Sequence, residues 1–204
     1  MNRQDLSWGA PRTERADAVR NRQHLLSVAR EMLAGYGADK ITMDGLAERA
    51  ALGKGTVFRR FGSRAGIFQA LLDDNETAFQ ERVLSGPPPL GPGDTPLGRL
   101  IAYGQARVEF LMTNSEIARA GLDGRQPVPA GAQTPLSQVH IRMLLGQLSL
   151  GALDLDLLAV QLTAALDGPL LLYLSAAELT DGDRVLGDRI ARSWQDLVRR
   201  VCRP

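Results

Sequence analysis

Covalent cross-linking is the first thing this sequence lacks: of 204 residues one is cysteine, Cys202, which excludes an intramolecular disulfide. Histidine is nearly as scarce, with two residues. No spaced set of His, Cys or carboxylates makes a metal site, so neither metal nor cofactor is expected. No apolar run opens the chain as a signal peptide would. The longest apolar stretch, Leu157 to Leu174, is broken by Gln161, Thr163, Asp167 and Pro169, which makes it a poor membrane span. Catalytic signatures are missing too: there is no nucleophile elbow, Walker loop, dinucleotide fingerprint, HExxH or carboxylate cluster, which argues against an enzyme. A soluble cytoplasmic protein is the expectation.

What is present is ordinary for a globular chain, 44% apolar and 23% charged residues, enough for one or two domains with a sizeable core. The net charge of +1 hides an asymmetry. Residues 1–72 hold 12 Lys+Arg against 7 Asp+Glu, while the remaining 132 hold 12 against 16. A basic head on an acidic body is the pattern of a protein that meets phosphates at one end only.

That head contains the most informative segment. From Thr42 to Phe61 the chain reads as two short helices joined by a tight turn at Ala51 to Gly53. Thr42 is a candidate N-cap of the first helix, whose Leu46, Ala47 and Ala50 share one face. In the second, Val57 and Phe61 stand four residues apart on the packing side, while Lys54, Thr56, Arg59 and Arg60 point outward. A rod that is apolar on one side and cationic on the other fits the major groove of DNA, where Arg reads guanine and Thr reaches a thymine methyl or a phosphate. Lys54, at the helix start, suits a backbone phosphate. Thr42, Gly55 and Phe58 complete this candidate group.

At these residues the chain resembles the tetracycline-repressor (TetR) family of transcriptional regulators. The likeness runs from about Arg22 to Leu72 through four blocks in family order: LLSVAREMLAGYG, ITMDGLA, GKGTVFRRF and SRAGIF. The resemblance implies an all-α homodimer with an N-terminal three-helix helix-turn-helix DNA-binding domain, here 17–62. It further implies a C-terminal helical ligand-sensing and dimerisation domain, here 63–204, and repression relieved by a small molecule. The chain departs from the family pattern at four places. Gly53 stands where Ser is usual, Phe58 where Tyr is frequent, and Arg64 where Lys is common, a phosphate contact at Arg64 staying plausible. Gly66, in the first turn of the fourth helix, should cost about 1 kcal/mol relative to Ala.

Residues 1–16 show no periodic apolar face and are expected to form a flexible arm, either a solvated tail or a follower of the minor groove through Arg3, Arg12 and Arg15. A first helix follows, with Leu25, Val28, Ala29, Met32, Leu33 and Tyr36 on one stripe and Gly37 as its stop. Ser63 is a candidate cap for a helix running to about Leu84, with Phe68, Leu71, Leu72 and Phe79 inward. Its successor, 85–94, is too rich in Pro and Gly for a helix and is expected to be a poorly ordered loop.

Thr95 and Pro96 signal the next helix, with Leu97, Leu100, Ile101, Gly104, Val108 and Leu111 on one stripe. Tyr103, Arg107 and Phe110 occupy another face. Arg107 there is either a ligand anchor in a sensor domain or a surface arginine lying over rings. After a loop at 121–133, Thr134 and Pro135 open a helix bearing His140, Met143 and Gln147, three further ligand candidates, although a lone His is more often structural.

From Asp154 to Ala177 the chain is apolar almost all round, which suggests a core on one side and a partner on the other. Pro169 should kink this helix. Asp167 either faces a cavity or caps the kink, and Tyr173 joins the ligand candidates. Thr180 and Asp183 resemble a capping box before a final stripe of Leu186, Ile190, Trp194, Leu197 and Val201. A four-helix dimer seam is expected, built on Leu166, Leu170, Ile190, Trp194, Leu197 and Val201. The reading is a sequence-specific regulator bound to a palindromic operator, most simply a repressor released by a small molecule. The alternatives are a helical-bundle enzyme or carrier, a ligand-independent regulator, and an activator.

Overall fold

Every regular element among the described residues is a helix. The computed structural model describes residues 11–122, 135–175 and 183–202, with side chains at 16–122, 136–169 and 185–202. The chain divides into two compact units after Leu71.

The first unit holds α1 (Pro11–Tyr36), a single 3-10 turn (Ala38–Lys40), α2 (Met43–Arg49), α3 (Lys54–Phe61) and the opening turns of α4 (Arg64–Ser85). Helix α1 begins at Pro11, inside the stretch expected to be an arm. Proline at a first helical position gives up only an N–H that no helix would use, and the Arg, Glu and Ala residues after it are good helix formers. The stripe on α1 buries Leu25, Val28, Ala29 and Met32, and Leu26 beside it is buried too, whereas Tyr36 at its end is exposed. The helix stops at Gly37, whose φ of 77° is left-handed. Thr42 caps α2 by accepting from Gly45 N at 3.0 Å. Ser63 likewise accepts from Gly66 N at 3.1 Å ahead of α4.

Gly66 corrects the sequence reading. A Cβ there would overlap the carbonyl oxygen of Phe61, at the end of α3. Helix propensity, which favours Ala by about 1 kcal/mol, is outweighed by the close approach of the two helix ends.

The second unit contains the rest of α4, α5 (Pro96–Thr113), α6 (Ser115–Ala120), α7 (Pro135–Leu145), α8 (Leu155–Ser175) and α9 (Asp183–Val201). Thr95 caps α5 through Gly98 N at 3.1 Å, with Pro96 at the first helical position. Helix α5 packs on α7, α8 and α9, so both faces read in the sequence are covered. The short α6 had no sequence signal, because six residues are too few to show a period. Residues 86–94 are non-helical, as their prolines require, and they form definite turns, with Gly91 N donating to Pro87 O at 3.0 Å. Helix α8 runs past Pro169 without interruption. The capping box at Thr180, the Ala177 end of the apolar segment, most of the 121–133 loop and the first ten residues lie outside the described residues.

Two residues assigned to a dimer seam belong to the interior of their own chain. Trp194 is 3% exposed and donates its indole N–H to Leu100 O at 3.0 Å. Its ring lies across α5 at Gly104, where a Cβ would collide with it. Leu166 is likewise buried. A helical stripe reports that a face is covered; it cannot say whether the cover comes from the same chain.

Gly66→Ala should destabilise the first unit even though alanine is the better helix former. A urea melt showing a midpoint equal to or above wild type would overturn the steric account of this position.

Candidate functional site

The exposed face of α3 follows from how the helix is anchored. Val57 and Phe61 are buried, which fixes the rotation of α3 and leaves Lys54, Gly55, Phe58, Arg59 and Arg60 exposed, with Thr56 half-buried. The cations on this face have only weak ties. Lys54 Nζ is 2.9 Å from Asp44 Oδ2 on α2, with both side chains largely in solvent. Arg59 Nη2 reaches Thr56 Oγ1 at 3.4 Å, and Arg60 Nη2 donates to Ala18 O on α1 at 3.0 Å. Exposed contacts of this kind contribute about 0 to 1 kcal/mol, so a phosphate or a base edge can replace them.

Two parts of this face escaped the sequence reading. Asp17, Ala18 and Asn21 of α1 line an open depression of about 450 Å³ together with Thr56, Arg59 and Arg60. Asp44 is the other, set beside Lys54 by the turn between α2 and α3. That turn is braced by His24, whose Nε2 lies 3.0 Å from Ala50 O.

Arg64 is placed differently from the other cations. Its Nε donates to Ile41 O at 2.9 Å and its Nη2 to Ala38 O at 2.8 Å, with the guanidinium 4.9 Å from the centre of the Phe68 ring. This side chain ties the start of α4 to the segment before α2. A phosphate contact would have to compete with both carbonyls.

In the second unit, Tyr103, Arg107, Phe110, His140 and Asp167 are all buried. Arg107 is not the surface arginine of one sequence reading: it is 0% exposed, and its Nη1 is 2.6 Å from Glu76 Oε2 and its Nε 3.4 Å from Asp167 Oδ1. Burial works against the charge on Arg107, but the two carboxylates outweigh it and hold its pKa above the ordinary arginine value. Asp167 is pushed up by burial, with Arg107 pulling the other way. Phe110 and Phe79 flank the guanidinium at 5.2 and 5.9 Å. Glu76 was missed, since nothing in its helical period distinguishes it from a solvated acid.

Tyr103 Oη donates to Ser137 Oγ at 2.6 Å, and burial raises its pKa to about 12. His140 stacks on Tyr103 with ring centres 4.9 Å apart, and its Nε2 has no hydrogen-bond partner. Burial first, then the charge of Arg99, lower its pKa to about 4. Met143 and Gln147, grouped with His140 from sequence, are instead exposed. The side chains of Tyr173 and Leu170 lie outside the described residues. Among the described residues no group of three or more His, Cys, Asp or Glu is placed to hold a metal ion, and no helix is long and apolar enough to cross a membrane.

Comparison with known proteins gives this geometry a context. Residues 25–71 match the model of the family described as bacterial regulatory proteins, tetR family. A DNA-binding transcriptional repressor TetR from Mycobacteroides abscessus is 36% identical over 59 residues, 29% of this chain and 31% of that protein. The match therefore spans about a third of that relative. Solved structures extend the likeness of fold over most of the chain. A TetR-family transcriptional regulator from Pectobacterium atrosepticum superposes with a TM-score of 0.67 at 15% identity, covering 93% of this chain and 98% of that one. One from Rhodococcus sp. gives 0.60 at 18% identity, covering 91% and 100%. The fold is thus all-α, a helix-turn-helix domain followed by a helical domain.

The buried ring of His140 carries a pH dependence. Its folded pKa of about 4 lies below its ordinary 6.5, so as pH falls through that window the unfolded chain takes up a proton that the folded chain refuses. Stability present above the ordinary value is lost on acidification. Asp167 works in the opposite sense, and equally in a His140→Gln variant. Thermal melts across this window should show a steeper acid loss in wild type than in His140→Gln; parallel curves would refute the assignment.

Proposed function

From an amino-terminal domain of the tetR family of bacterial regulatory proteins, we propose that this chain is a sequence-specific DNA-binding transcriptional repressor that works as a homodimer in the cytoplasm and is released from its operator by a small molecule. The observation that carries the reading is the face of α3. Thr56, Arg59 and Arg60 stand together on a helix whose other side is locked by Val57 and Phe61, with Lys54 exposed at its first residue. That helix is the segment that would enter the major groove, with Arg59 and Arg60 on base edges, Thr56 on a thymine methyl or a phosphate, and Lys54 on a phosphate. The exposed ring of Phe58 would pack against the sugar-phosphate backbone. Thr42 and Gly55 would offer a hydroxyl and an unobstructed backbone at the edges of the same face.

Dimerisation is supported by the surface of the second unit. Leu157 and Val160 on α8 and Leu197 on α9 are exposed, and an open groove of about 770 Å³ runs along Ala165, Pro169, Leu186, Ile190 and Leu197, lined as well by Arg189, Arg192, Asp196 and Arg200. Val201 lies one turn beyond Leu197 and is half-buried. A second copy seated there would remove this apolar surface from water and present two α3 helices to half-sites about one helical turn apart, which requires a palindromic operator.

DNA fragments selected from random sequence by the purified protein should yield a palindrome. Arg59→Ala or Arg60→Ala should cost about 1 to 3 kcal/mol in specific affinity, and Lys54→Ala should weaken all duplexes and reduce the salt slope by about 1. If both arginine variants discriminate operator from random DNA as wild type does, α3 is not the reading element. Leu197→Arg should shift the protein to monomer in sedimentation and abolish tight operator binding; an unaltered dimer would exclude the α8–α9 face.

A further inference from the structure

The face that would read DNA is not purely cationic. The depression of about 450 Å³ is lined by Thr56, Arg59 and Arg60 of α3 and by Asp17, Ala18 and Asn21 of α1, so one carboxylate shares this space with two guanidinium groups. Arg60 Nη2 donates to Ala18 O at 3.0 Å, which ties this turn of α1 to the end of α3 and holds Asp17 beside the arginines. The Asp17 side chain is 59% exposed, and its ion pair runs to Arg20, one turn along α1 and outside the lining of the depression. Arg59 and Arg60 hold Thr56 and Ala18 instead.

A duplex can meet this face in two ways, and the carboxylate acts on them unequally. On a matched site Arg59 and Arg60 reach base edges inside the groove, and those bonds read the sequence. On an unmatched site the bonds are not made, and the same groups turn to the phosphates, which supply essentially all non-specific affinity. A phosphate drawn to Arg59 and Arg60 is drawn to the depression they line, where it meets the charge of Asp17. Like charges closer than a Debye length, about 10 Å in 0.1 M salt, repel with little screening. The repulsion therefore falls on the unmatched complex more than on the matched one. Asp44 differs in position: its Oδ2 lies 2.9 Å from Nζ of Lys54, the first residue of α3, and a lysine there serves a phosphate in both complexes.

We propose that Asp17 is a specificity-determining residue: by repelling phosphates from the α1–α3 depression it lowers affinity for unmatched duplex and widens the ratio of operator to non-specific binding. The inference rests on the DNA-binding reading and deepens it, giving α1 a share in discrimination that needs no bond to a base. Specificity is a difference of two affinities, and weakening the wrong complex serves it as well as strengthening the right one. That ratio decides occupancy where unmatched sites far outnumber the operator.

The test uses the full-length protein, the palindrome that wild type selects, and a scrambled duplex of the same length and composition. Asp17→Asn keeps the shape and removes the charge. It should tighten the scrambled duplex more than the palindrome and lower their affinity ratio about three- to tenfold, both subunits counted. The difference should shrink as salt rises. Asp17→Glu should retain the wild-type ratio, which separates charge from packing. Asp44→Asn makes the same change of charge at the other end of α3 and should tighten both duplexes alike. A ratio in Asp17→Asn equal to or above that of wild type, an equal fall in Asp44→Asn, or a fall that persists in Asp17→Glu overturns the proposal. A wild type that prefers its palindrome while Asp17→Asn keeps the same ratio sinks the role of Asp17 alone. A wild type that prefers no duplex sinks the regulator reading and this inference with it.

Discussion

A guanidinium with no route to solvent organises the second unit. Arg107 is sealed inside α5, and its charge is tolerable only because Glu76 of α4 and Asp167 of α8 converge on it. Removing one partner of such a pair costs about 3 to 5 kcal/mol, since the other charge is left buried and alone. The requirement therefore fixes α4, α5 and α8 at one mutual register, which apolar packing alone would specify less sharply. The rings of Phe79, Tyr103 and Phe110 close around the pair and exclude water. Burial makes Asp167 hold its proton more tightly, against the pull of Arg107, and the neighbouring charge of Glu76 adds to the effect.

What each cationic side chain is bonded to separates structure from function across the chain. Arg64 uses two of its nitrogens on backbone carbonyls, a commitment like that of Arg107 but made at a half-buried site. Lys54, Arg59 and Arg60 lie on an exposed face and hold single, replaceable contacts. Arg99 and Arg119 have buried nitrogens with no hydrogen-bond partner among the described residues. The first pattern describes scaffold. The second suits a polyanion, where every contact must be exchangeable, and the third marks a place the folded chain has left incomplete.

The sequence was most readable where the determinants are local. Thr42, Gly37, Ser63, Thr95 and Pro96 act within one helical turn, and Val57 and Phe61 set the face of α3 by a spacing of four, so the helix-turn-helix could be read directly. Readability failed where the decisive partner is remote. Glu76 and Asp167 lie 31 and 60 residues from Arg107, and no periodicity connects them. Gly66 was read with the wrong sign because helix propensity considers only its own helix, while the obstacle is the Phe61 carbonyl at the end of another. Trp194 and Leu166 sit on apolar stripes as expected, yet the covering surface turned out to be their own chain.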